Sequence, residues 1–165
     1  MVKTATNGLL KTANDLSTDT RLSSVELLNQ TLADLSDLYS QTKQAHWNVR
    51  GKYFYPLHKL FDELAAAVEQ HLDMIAERVT ALGGLARGTV RDAAANSQLD
   101  ELPLERAEDQ GFVGELVTRF SQCAASTRTG VDKAAEAGDT GTADLLTAVS
   151  RELDKSLWFL EAHQR

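Results

Sequence analysis

Large apolar residues recur at helical intervals in four stretches of the chain. Leu28, Leu32, Leu35 and Tyr39 share one face of a first helix. Ser23 and Glu26, spaced as a capping box, predict its start, and the pattern runs to about Val49, just before Gly51. Pro56 is suited to the first turn of a second helix, whose apolar face is Leu57, Phe61, Leu64, Val68, Ile75, Val79 and Leu82. Gly83 and Gly84 predict its end. A third helix carries Phe112, Leu116, Phe120, Cys123 and Val131. A fourth starts after Gly138-Asp139 and carries Leu146, Val149, Leu153, Leu157 and Leu160.

Residues 85–106 form a long middle connection containing Pro103, with a short helix expected over 91–98. So long a connection permits a crossover rather than a tight hairpin. Four amphipathic helices joined this way predict an all-α, ferritin-like four-helix bundle. Residues 1–21 are polar and read as a flexible N-terminal tail, with Leu9, Leu10 and Leu16 its only large apolar groups up to residue 20. Residues 22–165 then form the bundle domain.

Composition narrows the function. The 165 residues suit one domain with a sizeable core, and 2 prolines and 10 glycines favour long helices. Seventeen Lys and Arg against 24 Asp and Glu give a formal charge of −7, which repels nucleic acid and attracts cations. Cys123 is the single cysteine, so no intrachain disulfide forms and a reducing, cytoplasmic setting is expected. No apolar run is long enough for a membrane span or a signal peptide. Cys123, Trp47, Trp158 and Phe159 read as packing residues.

Metal-ligating residues cluster around the first loop. No Glu is followed three positions later by His, so the di-iron site that such bundles often hold in their own core is not encoded. Instead His46 lies near the end of the first helix, His58 and Asp62 are i and i+4 on the second, and so are Asp73 and Glu77. Imidazole with carboxylate suits iron or zinc. Asp62 and Asp73 stand eleven residues apart. At about 1.5 Å per residue that is roughly 16 Å along the axis, on nearly the same face. The two pairs cannot reach one metal within one chain. An antiparallel two-fold contact along residues 58–77 would bring them together and give each dimer two equivalent sites. His71, between the pairs, reads as interfacial and not as a ligand.

These residues carry a resemblance. The stretch from His46-Trp47-Asn48-Val49-Arg50-Gly51 through Leu57-His58 and Phe61-Asp62 to His71-Leu72-Asp73-Met74-Ile75-Ala76-Glu77-Arg78 resembles the Dps proteins, the small ferritins of bacterial starvation and oxidative stress. Asp144-Leu145-Leu146, Ser150-Arg151 and Asp154-Lys155-Ser156-Leu157-Trp158-Phe159-Leu160-Glu161 look like that family's last helix, so the resemblance spans roughly residues 22–161. It implies a hollow homo-dodecamer and a di-iron ferroxidase site between subunits. His46, His58 and Asp62 fall on the ligands from one subunit, and Asp73 and Glu77 on those from its two-fold mate. The implied reaction is oxidation of Fe(II) by hydrogen peroxide, preferred over oxygen, with ferric mineral stored inside; zinc is a substitute metal. Trp47 becomes a radical sink as an alternative to packing. Asp139 and Asp144 resemble acidic residues of the family's iron-entry pores, as alternatives to capping and first-turn roles.

Many Dps proteins bind DNA through lysine-rich tails, and a DNA-compacting protein with secondary iron chemistry is the alternative function. In residues 1–20, however, Lys3 and Lys11 are balanced by Asp15 and Asp19. Twelve copies would multiply the −7 charge twelvefold. Phosphate binding draws on several cations per site, so DNA binding is expected to be weak or absent.

Overall fold

The computed structural model describes residues 8–165, and its elements are helical: α1 (Thr18–Asn48), α2 (Phe54–Ala81), a short α3 (Val90–Asn96), a 3-10 turn (Leu104–Arg106), α4 (Asp109–Glu136) and α5 (Thr140–Ala162). Among the described residues the only β pairing is an isolated bridge between Arg50 and Glu108. Short loops make α1–α2 and α4–α5 antiparallel pairs. The Arg50 bridge sets the end of α1 beside the start of α4, and Arg78–Asp139 sets the end of α2 beside the start of α5. Neighbours around the bundle are therefore antiparallel, and the crossover joins the two parallel helices α2 and α4. The apolar faces converge on a core around Leu28, Leu35, Phe61, Ile75, Phe112, Phe120, Leu146 and Leu153, as their spacing predicts. Cys123 is part of it, and burial pushes its thiol pKa up.

The crossover is held by polar groups inside the bundle. Arg119, 4 % exposed, donates from Nε to Gln41 Oε1 (2.6 Å), from Nη2 to Glu101 O (2.7 Å) and from Nη1 to Glu115 Oε2 (2.9 Å). Buried Asp34 accepts from Gln98 N at 2.8 Å and from Gln30 Nε2 at 3.1 Å; burial raises its pKa.

Three expectations are corrected. The first helix starts at Thr18, because the Ser17 hydroxyl accepts from Thr20 N at 3.1 Å; the Ser23–Glu26 spacing lies inside the helix. Residues 8–17 are also fastened to the bundle: Leu9 is buried and Leu10 N donates to Gly83 O at 2.7 Å. Gly83 must be glycine there, since φ is 85° and a Cβ would meet Leu10 O at 2.6 Å. Residues 1–7 of the expected tail lie outside the described residues. Finally, Trp47 and Trp158 are 67 % and 60 % exposed, so neither joins the core of this chain, whereas Phe159 packs against it and Trp158 only meets the Phe159 ring.

Candidate metal centre

The last turn of α1 delivers His46 and the first turns of α2 deliver His58 and Asp62. Between them Gly51, at φ 125°, makes the turn, and Phe54 N donates to Gly51 O at 3.2 Å. The two imidazoles stack, with centroids 3.9 Å apart and planes 19° from parallel. Each is tied to the other's backbone: His46 Nδ1 lies 2.7 Å from His58 O, and His58 Nδ1 lies 2.8 Å from His46 O. A carbonyl oxygen only accepts, so both Nδ1 atoms carry the proton. In the neutral rings both Nε2 lone pairs are then free for a metal, the tautomer that a ligating histidine needs.

Asp62 stands beside them, its Oδ1 4.0 Å from His46 Nε2. The same oxygen accepts from Lys43 Nζ at 2.5 Å. That hydrogen bond, with the charges of Lys43 and Lys59 behind it, outweighs desolvation and holds Asp62 below the usual carboxylate range. An ammonium thus sits on the oxygen nearest the histidines.

Asp73 and Glu77 are exposed on the outer face of α2, and their carboxylates have no hydrogen bond or ion pair among the described residues. They do not join the histidines: no three His, Cys, Asp or Glu side chains among the described residues converge on one metal position. A single chain therefore holds two imidazoles and one carboxylate at one end of α2, and two free carboxylates further along it. That mixed nitrogen and oxygen set fits iron. His71 lies between, half-buried, with Nδ1 out of water and without a partner among the described residues. Burial lowers its pKa, opposed by Glu152.

The two aspartates at the start of α5 differ sharply. Asp139 is 1 % exposed and caps α5, accepting from Thr142 N (2.9 Å) and Thr142 Oγ1 (2.6 Å), and it pairs with Arg78 Nη2 at 2.6 Å. Burial pushes its pKa up, but the Thr142 hydrogen bonds and the Arg78 charge prevail and the net shift is down. Both oxygens are engaged within the chain, so Asp139 serves here as a capping residue. Asp144 is exposed. Arg78 and Lys43 were not singled out by the sequence; each contacts a residue more than a helix turn away in another element, which periodicity does not register.

Comparison with known proteins agrees with this architecture. The model of the ferritin-like domain family matches residues 25–165. The DNA protection during starvation protein of Agrobacterium fabrum is 42 % identical over 153 residues, spanning 93 % of this chain and 94 % of that protein. Among solved structures, DpsC from Streptomyces coelicolor superposes with TM-score 0.90 at 33 % identity, covering 95 % of this chain and 92 % of that one. A Vibrio cholerae Dps protein, described as a member of a broad superfamily of ferritin-like diiron-carboxylate proteins, superposes with TM-score 0.85 at 29 % identity, covering 91 % and 94 %. No described helix is long and apolar enough to cross a membrane. Fold and relatives together make this chain a member of the Dps family of ferritin-like proteins.

Proposed function

We propose that this protein is a ferroxidase and iron store whose site is shared between two subunits of a dodecameric shell. His46, His58 and Asp62 hold one end of the site, and Asp73 and Glu77 of the partner subunit hold the other. The observation that carries this reading is the reciprocal histidine tie, which spends both Nδ1 protons on backbone carbonyls and leaves both Nε2 lone pairs free. The unpartnered carboxylates of Asp73 and Glu77 supply the complement.

Fe(II) is the substrate. Two ferrous ions held side by side each give up one electron, and hydrogen peroxide, preferred to oxygen, takes both and leaves as water with protons from solvent. Paired delivery avoids release of hydroxyl radical. The protein's own work is to position: the imidazoles present lone pairs, the carboxylates hold hard cations, and Lys43 occupies Asp62 until iron displaces it. Asp144 is read as the residue that draws Fe(II) toward the shell's entry pore. Trp47, exposed one residue from His46, is positioned to quench a stray radical.

The relatives' names speak of DNA protection. This chain supports protection by removing iron and peroxide, because it is acidic and its N-terminal segment from Gly8 onward is fastened to the bundle. The test is Fe(II) oxidation by peroxide and by oxygen in the parent, His46→Gly and Asp73→Ala. Loss of rapid oxidation in both variants is expected; variants as fast as the parent would overturn the site.

A further inference from the structure

Phe54 is the first residue of α2 and stands one turn before His58. Its ring centroid lies 5.3 Å from that of His58, with the planes tilted by 31°. His58 in turn stacks on His46. His58 is therefore in contact with two rings, while its Nδ1 is tied to His46 O. Phe54 itself is 44 % exposed and is not among the residues of the hydrophobic core. Core packing within the chain does not account for a large apolar ring at this position; its ring contact is with the imidazole. The turn at Gly51 sets the ring there by accepting from the Phe54 backbone N–H.

We infer that Phe54 is a positioning residue, which packs against the His58 ring and keeps its Nε2 aimed toward the metal site. The inference rests on the shared-site reading above. An imidazole held by one hydrogen bond can still rock about it. Contact with two rings restricts that freedom, so less ordering remains to be done when a metal binds. The chemistry that matters is the flat apolar face, so tyrosine should replace phenylalanine and leucine should not.

The test uses the full-length protein, with Co(II) alone as an unreactive probe whose visible absorption reports its ligand geometry. Parent, Phe54→Tyr, Phe54→Leu and Asp73→Ala are titrated anaerobically, with assembly size and helix content measured on each. Phe54→Tyr should match the parent. Phe54→Leu should bind Co(II) roughly two- to tenfold more weakly, as an aromatic pair's worth implies, with an altered absorption band and unchanged assembly. Binding and band equal to the parent's in Phe54→Leu would overturn the inference. If Phe54→Leu does not assemble, Phe54→Met gives the same comparison at similar volume; failure of both to assemble makes Phe54 a subunit contact and also overturns it. Asp73→Ala separates the two readings: parent-like Co(II) binding there sinks the shared site itself, whatever Phe54 does.

Discussion

Asp139→Ala should destabilise the subunit more than an ordinary cap mutation. The side chain does two things: it caps α5 through Thr142, and it neutralises Arg78 at the end of α2. Losing the cap costs about 1 kcal/mol. Breaking a fully buried ion pair costs about 3–5 kcal/mol. Arg78 is 24 % exposed, so water recovers part of the second figure, and a total of about 3 kcal/mol is the reasonable sum. For a chain of this size that lowers the melting temperature by roughly 6–12 °C. Parent and variant are melted at equal subunit concentration, because assembly makes the midpoint concentration-dependent. Asp139→Asn, which keeps an acceptor but not the charge, should fall between them. The pH dependence has a definite sign. The folded carboxyl pKa is depressed, so its contribution is complete above the unfolded value of about 4 and disappears as pH falls through the lower folded value. The gap between parent and Asp139→Ala should narrow only below about pH 4. A melt within about 2 °C of the parent at neutral pH, where roughly 6–12 °C is expected, or a gap that widens on acidification, would refute the reasoning.

Other predictions concern ions. Lys43→Met removes the ammonium from Asp62 and should tighten Co(II) or Fe(II) binding, by less than about tenfold because the pair is solvent-accessible; weaker binding would mean that Lys43 supports the site. Asp144→Asn should slow Fe(II) uptake by assembled shells severalfold without lowering the melting temperature, the reverse of Asp139→Ala, and unchanged uptake would remove its pore role. In a gel shift at about 0.15 M salt, duplex DNA should run unretarded; retardation that survives this salt would show a DNA-binding mode that the charge of the chain does not anticipate.

Much of the architecture is legible in the chain because long helices repeat their apolar positions many times over. The short helix in the crossover and the glycine stop at Gly83 follow from equally local signals. The start of α1 does not: the Ser23–Glu26 spacing suggests a cap, but the hydroxyl that caps the helix is Ser17, accepting from Thr20 N. The tryptophans mislead because an apolar side chain has no address until its neighbours are known, and Trp47 and Trp158 have none in the core. At the candidate site the ligand types and their helical spacing are readable. The histidine tie, Lys43 on Asp62 and the Phe54 contact are not, since each depends on how α1 and α2 or their connecting turn are set. Asp139 and Asp144 look alike as letters, and burial alone separates a cap from an exposed carboxylate.

Subunit complementation tests the shared site most directly. His58→Ala and Asp73→Ala are each prepared as inactive proteins, dissociated, mixed in equal amounts and reassembled. In a mixed dimer one site combines both defects and the other has neither. Random pairing makes half the dimers mixed, so about one quarter of the parent's sites should return. Rapid Fe(II) oxidation recovering to about that fraction is the result the shared site predicts; a mixture as inactive as its components would place all the ligands in one chain and contradict it.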